Sequence, residues 1–348
     1  MRDVGRTVLE LGAPIVIVVA AAAITGALPP TQQLEFEYAL VSTAVVVGLY
    51  VFVGNSGVLS FGQISFVAVG AYLSGLMTID PQSKEFTLPS LYPFLKHQHV
   101  GVVPSLALAA AAGGVYALAV GLPLMRLSGL PAGIATFAVL GITYNVLRYW
   151  ERIGPGAQAI PLVPESGTWT LGGGAMLVAV VAFAYQRSRF GRRLRATRED
   201  HHAARASGID VYRERLGAFT LSGALAGFAG GLLVHELGSI TTDQVYLELT
   251  FLTLAMLVIG GVGSLWGAVV GALLISGLDS LLGDAENTIH VGFRLTLPDG
   301  TRLVTLGVVI LLVLILRPRG ITGSREFALP RRRRKPRPEV PASATPAV

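Results

Sequence analysis

Long apolar runs alternate with short polar joints along almost the whole chain. A helix that crosses a bilayer needs roughly 20 mostly apolar residues, fewer where neighbours bury it. Ten runs fit that pattern: residues 13–28, 36–53, 62–79, 100–124, 130–147, 171–186, 217–236, 247–260, 264–282 and 302–316. The pattern predicts an all-α, polytopic membrane protein of about ten transmembrane helices. The first run follows a basic start and ends in small residues, as a signal peptide does. Its length favours a retained first span.

One joint is unlike the others. The stretch "GRRLRATREDHHAARASGID", residues 191–210, is the most polar internal segment. Thr197 followed three residues later by Asp200 reads as a capping-box variant. Glu199 and Asp200 then fall in a first turn, where the helix dipole favours anions. Ala203, Ala204 and Ala206 are strong helix formers. Gly208 followed by Ile209 suits a left-handed C-terminal cap. A surface helix over 198–207 is expected, with one small-residue face and one charged face, too short and polar to span. Such a helix can dock into a partner. The chain has no engine of its own to drive transport. Its three lysines are Lys84, Lys96 and Lys335, and none follows a glycine, so there is no phosphate loop of the GxxxxGKS or GxxxxGKT kind.

Composition agrees. Of 348 residues, 52% are hydrophobic and 14% charged, with a mean hydropathy of +0.61. Soluble domains carry roughly a quarter charged residues, so a soluble globular chain is excluded. The absence of cysteine excludes disulfides and thiolate chemistry. The net charge of +6 is concentrated in residues 187–216 and in the tail. With the N-terminus inside, ten crossings place 21 of the 27 Lys and Arg on the inner side and six on the outer. The positive-inside rule therefore puts both termini in the cytoplasm. The basic blocks read as solvated cytoplasmic charge, and nucleic acid is not expected as a partner. Residues 1–323 form the transmembrane domain, with a cytoplasmic loop at 187–216. Residues 324–348 read as a basic, Pro-rich, disordered cytoplasmic tail.

Four stretches carry a family resemblance: "RATREDHHAARASGIDVYRERLGAFTLSGALAGFAGGLL", "GNSGVLSFGQISFVAVGAYLSGL", "LVIGGVGSLWGAVVGALL" and "LRPRGITG". They resemble the coupling loop with its following span, the glycine-rich second-to-third span signature, the late GGxGSxxG signature and the last-span end of the branched-chain amino acid ABC transporter permeases, LivM-type. The matches lie in the family's order between residues 40 and 323. His201 and His202 depart from the family's pattern, and the tail beyond Gly323 has no counterpart in it. The resemblance implies an ABC-importer permease architecture in a bacterial inner (cell) membrane, importing aliphatic, branched-chain amino acids. It implies a second homologous permease (LivH-type), two ATP-binding subunits (LivG/LivF-type) that hold ATP and Mg, and an extracytoplasmic solute-binding protein. No cofactor is expected on this chain. Related permeases make urea or short amides the alternative cargo.

The candidate sites follow. Thr197, Arg198, Glu199, Asp200, Ala203, Ala204 and Gly208 form the candidate coupling helix. Gly223, Gly227 and Gly231 in the seventh span recur every four residues, as do Gly263, Gly267 and Gly271 in the ninth. This small-residue spacing lets helix backbones approach closely, within the chain or at a permease–permease interface. Asn55, Ser56, Ser60, Gln63 and Ser65 cluster among glycines between the second and third spans. Polar groups and irregular backbone at membrane depth survive only beside protein or water, so this segment is a candidate translocation path or gate. The alternative is a glycine-rich turn outside the lipid. No span carries an unpaired charge deep in its middle, Asp279 being nearest, which argues against an ion-coupled secondary carrier. An intramembrane serine protease would use Ser56 with His235 or His290. These fall at opposite ends of the spans, whereas a working pair must be within hydrogen-bond reach. His97 and His99 alone are too few for a metal. Neither catalytic residues nor a metal are expected.

Overall fold

The computed structural model describes residues 18–21, 23, 30–127, 129–161, 163, 166–288, 290–291, 293–294, 301–317 and 320–323. Most of the predicted first span and all of the tail beyond residue 323 lie outside the described residues. Among the described residues, nine helices overlie the other predicted apolar runs: α1 (Pro30–Ser56), α2 (Gln63–Thr78), α5 (Val102–Leu124), α6 (Leu130–Tyr149), α7 (Thr168–Arg187), α10 (Val211–Leu237), α11 (Leu247–Gly260), α12 (Leu265–Thr288) and α13 (Thr301–Leu316). Short helices sit between them: α3 (Pro81–Thr87), α4 (Pro93–Lys96), α8 (Arg189–Glu199) and α9 (His201–Ala206). A two-residue antiparallel pair, His290–Val291 with Phe293–Arg294, follows α12.

By length and apolarity, α1, α5, α7, α10 and α12 can each cross a bilayer. A sixth crossing arises if α2 and α3, bent by 113°, count as one broken span. Asp80 makes that bend by capping α3, its Oδ2 accepting from Gln82 N at 3.1 Å, with Pro81 at the first helical position. Lys84 of α3 is not a solvated loop charge. It is fully buried, and its ammonium donates to the carbonyls of Leu95 and Gln98.

α10 is the centre of the bundle and packs against α5, α2 and α1. α1 also lies against α7 and α12. The outer faces are apolar: Val115, Leu118 and Leu122 of α5, Ile134 and Ile142 of α6, and Val308 and Ile315 of α13 are all exposed. Large apolar side chains turned outward suit a lipid solvent. Where lipid replaces water, helices gain little by hiding apolar surface, and close backbone packing supplies the cohesion.

Glycine supplies that packing here. A Cβ added at Gly227 would stand 2.4 Å from the Ala109 carbonyl oxygen, and one added at Gly70 of α2 would stand 2.1 Å from the Gly227 carbonyl oxygen. Gly223 and Gly231 likewise meet Ala117 and Leu106 of α5. The seventh-span stripe is thus the internal seam of α10 with α2 and α5. The ninth-span stripe needs a correction. Gly263 lies in the turn between α11 and α12, outside the helix. The close contact is made by Gly267 and Gly271 against Gly260 and Met256 of α11.

Candidate functional site

The end of the bundle bearing α8 and α9 carries the arginines from Arg187 to Arg215, and the four signature stretches meet there. Each folds locally for a plain reason. Ser188 caps α8 by accepting from Gly191 N at 3.2 Å. Leu194 and Thr197 bury one side of α8. Asp200 ends α8 in an extended conformation and caps α9, its Oδ1 accepting from His202 N at 2.8 Å and Ala203 N at 2.9 Å. The predicted single helix over 198–207 is therefore two helices hinged at Asp200. Thr197 is not the cap, because its hydroxyl donates to Leu194 O within α8. The C-terminal signal is as expected: Gly208 has φ +78° and Ile209 N donates to Ala204 O at 3.1 Å.

The orientation of α9 also differs from expectation. Ala204 is buried against the chain itself, whereas His202, Ala203, Arg205 and Ala206 face outward. Of the predicted coupling residues, Thr197 and Ala204 hold the ridge to the bundle. Glu199, Asp200, Ala203 and Gly208 lie on its exposed side.

Asp200→Ala is expected to unwind α9 while α8 stays intact. The measurement is hydrogen exchange, with the amides of His202 and Ala203 exchanging several-fold faster. The backbone bonds hold the Asp200 carboxyl below its ordinary range. Its support of α9 is thus complete above that ordinary range and is lost as pH falls through the depressed folded value.

Arg198 joins this ridge to the spans. Its Nη1 donates to Gly54 O at 2.7 Å, at the last turn of α1. The Arg198 stem also lies over Gly57, which has φ +71°. Residues 54–62, the end of α1 and its link to α2, are held from two further sides. Phe61 N donates to Thr136 Oγ1 of α6 at 3.1 Å. Gly54 faces the Val262 carbonyl in the α11–α12 turn. That turn is itself clamped by the last signature, with Ile321 N donating to Ile259 O at 2.7 Å and Thr322 N to Gly260 O at 3.2 Å.

Asn55, Ser56, Ser60, Gln63 and Ser65 are all buried in this junction. Asn55 Nδ2 donates to Val51 O at 3.0 Å, and Ser56 Oγ accepts from Val58 N at 3.1 Å. Five atoms have no hydrogen-bond partner among the described residues: Asn55 Oδ1, Ser60 Oγ, both amide atoms of Gln63 and Ser65 Oγ. Unpaired buried polar atoms are costly.

At the opposite end the structure brings together polar groups whose partners the sequence does not indicate. Glu37 of α1 is buried and accepts from Thr168 Oγ1 and from Gln33 Nε2. His235 of α10 is buried with Nε2 3.1 Å from Ser74 Oγ and 3.4 Å from Ser105 Oγ. His235 therefore engages Ser74 and Ser105 at the end of α10 remote from α9, and Ser56 sits in the junction with Arg198. The Thr168–Glu37, Ser74–His235 and Ser105–His235 pairs join positions more than a hundred residues apart, and no local pattern signals them.

Comparison with known proteins adds the relationship. The family model described as branched-chain amino acid transport system / permease component matches residues 37–315. The chain is 27% identical over 310 residues to the high-affinity branched-chain amino acid transport system permease protein LivM of Salmonella typhimurium, covering 79% of this chain and 66% of that protein. It thus spans about two thirds of the length of that relative. It is 34% identical over 155 residues to a probable branched-chain amino acid transport permease protein LivH of Methanocaldococcus jannaschii, covering 42% of this chain and 45% of that protein. It is 30% identical over 167 residues to the autoinducer 2 import system permease protein LsrC of Escherichia coli, covering 44% of this chain and 48% of that protein. No solved structure matches the chain.

Proposed function

The chain belongs to the branched-chain amino acid transport permease family, and on that premise we propose that it is the LivM-type permease subunit of an ABC importer for aliphatic amino acids. The family match over residues 37–315 carries this reading. The site geometry supports it. A ridge made of α8 and α9 stands out at the basic end, and Arg198 ties it to a buried polar segment between two spans. The ridge is the face offered to an ATP-binding subunit, and the segment 55–65 is the inner part of the cargo path.

In this reading the protein works as a passive lever. ATP and Mg bind on two separate subunits, and closure of those subunits pushes the exposed side of α9. Asp200, the joint between α8 and α9, sets the angle at which the push arrives. Arg198 passes it to the end of α1, and the 54–62 segment moves against α6 and the α11–α12 turn. A second permease completes the path, and a solute-binding protein delivers cargo at the other end. An aliphatic zwitterion suits a path with neutral hydrogen-bonding groups. The 21-to-6 charge distribution supports ten crossings with both termini cytoplasmic.

Two measurements test this. Reporter fusions within 209–213 and after Gly323 should both read cytoplasmic, and an external reading at either breaks the ten-span arrangement. Purification of the tagged chain should bring down ATP-binding subunits, and the complex should take up leucine only with ATP and binding protein. Cation-driven uptake by the chain alone would overturn the importer reading. Uptake of urea or short amides in place of leucine would overturn the amino-acid assignment and keep the importer.

A further inference from the structure

A cavity of about 480 Å³ opens beside α9, next to the end of α5 and the start of α10. Its walls come from the turn after α5 and from the starts of α9 and α10. Arg126, Arg205 and Arg215 line it, together with His201, and no acidic residue does. None of the three arginines makes an ion pair among the described residues. The nearby acids are used elsewhere. Asp210 pairs with Arg213 at 3.1 Å, Glu214 with Arg193 at 3.5 Å, and Asp200 caps α9. Arg215 is half-buried and its Nε has no hydrogen-bond partner among the described residues. Burial and the charges of Arg205 and Arg215 hold His201 below its ordinary pKa. Arg205 and Arg215 lie close enough to repel one another, Arg126 shares the same cavity, and an anion bound among them offsets that unbalanced charge.

The surroundings say which anion. Exposed Leu108, Val115, Leu118 and Leu122 form a continuous outward stripe on α5, at spacings of three, four and seven. The stripe ends at the cavity. Tyr212, in the cavity wall, donates its hydroxyl to Leu122 O at 2.9 Å, and the half-exposed Leu127 lines the rim. An apolar track along a span that runs into a basic pocket matches an acyl chain with an anionic head. Basic pockets between spans at the cytoplasmic surface bind phospholipid head groups in this way.

We propose that the cavity lined by Arg126, Arg205 and Arg215 is a phosphate-binding site occupied by the head group of an anionic phospholipid of the inner leaflet, with an acyl chain along the α5 stripe. Arginine suits this task because its planar fork pairs two phosphate oxygens at once. The site does not depend on what the chain transports. It requires only that the basic end faces the inner leaflet. Because α9 contributes His201 and Arg205, an occupied site also steadies the ridge offered to the ATP-binding subunit.

The test uses the full chain purified in a neutral detergent. Thermal unfolding and native mass spectrometry are followed with dioleoyl-phosphatidylglycerol, with dioleoyl-phosphatidylcholine and with inorganic phosphate. Phosphatidylglycerol should raise the unfolding midpoint by several degrees and stay bound in the mass spectrum, and phosphatidylcholine should do neither. Arg126→Gln and Arg205→Gln alter exposed residues and leave the fold intact. Each should weaken retention of phosphatidylglycerol about fivefold, and the pair correspondingly more. Arg192→Gln, an exposed cation outside the cavity, should change nothing. Equal stabilisation by phosphatidylcholine, or a response unaltered by the Arg126 and Arg205 variants, overturns the proposal. Full protection by millimolar inorganic phosphate alone assigns the site to a free anion and overturns the lipid. Loss of ATP-binding subunits from the variant complex with the phosphatidylglycerol response intact assigns the arginines to a protein carboxylate and also overturns it.

Discussion

Gly227→Leu is expected to leave no assembled protein in the membrane. Gly227 stands where α10 meets α5 on one side and α2 on the other. A Cβ there would lie 2.4 Å from the Ala109 carbonyl oxygen and 3.0 Å from Gly113 Cα. Both are backbone atoms, so no rotamer change can make room, and the helices must part. Overpacking a core costs about 1–3 kcal/mol, and more where backbone must move. The loss falls on the central seam of the bundle. In lipid, no hydrophobic gain from burial compensates when helices separate. The level of full-length protein in membranes and its elution as a single species measure this. Gly227→Ala should show a smaller loss in the same direction. Gly217→Ala is the control, because nothing lies within 4 Å of an added Cβ there. Wild-type levels for Gly227→Leu would mean that α10 does not pack as described.

Arg198→Ala is expected to separate ATP hydrolysis from transport. The Arg198 guanidinium carries the direct link from α8 to the end of α1, through Gly54 O at 2.7 Å. Removing it leaves a carbonyl at a helix end without its charged donor, a loss of about 1–3 kcal/mol. The exposed side of α9 is untouched, so ATP-binding subunits should still co-purify and the complex should still hydrolyse ATP. Substrate uptake per ATP should fall by about tenfold, the change that 1.4 kcal/mol produces. Arg198→Lys keeps a charge that can reach the carbonyl but lacks the fork, so it should recover part of the coupling. Unchanged uptake in Arg198→Ala would show that α8 transmits through its buried side, at Leu194 and Thr197. Loss of the ATP-binding subunits would place Arg198 in the docking face.

A good deal of this was legible beforehand. Apolar run length marked the apolar helices, five of which are long enough by themselves to cross a bilayer, because a bilayer sets a minimum length for any helix that crosses it. Gly208 with Ile209 marked the end of α9, because a left-handed cap there favours glycine. The start of α9 was misplaced by three residues. Thr197 and Asp200 both carry a capping oxygen, and only the extended backbone at Asp200 decides between them. The seventh-span glycines announced a close approach, but not the partner helices. Ala204 was assigned to the docking face and is buried in the chain's own ridge, since alanine suits a contact of either kind.

The sequence by itself determined the membrane class, the apolar helices, the concentration of charge in two blocks and the family signatures. All of these depend on local composition or on runs of neighbouring residues. Tertiary structure alone decided which face of each helix is buried. In a soluble protein, water sorts apolar from polar faces and leaves a period in the sequence. Lipid does not, because a leucine facing lipid and a leucine facing protein read alike. For the same reason the long-range contacts were invisible: Arg198 to Gly54 across 144 residues, Thr168 to Glu37 across 131, and three arginines lining one cavity. Each is made by residues that no periodicity relates, and only the packing of α7 and α8 against α1 and of α10 against α5 brings them together.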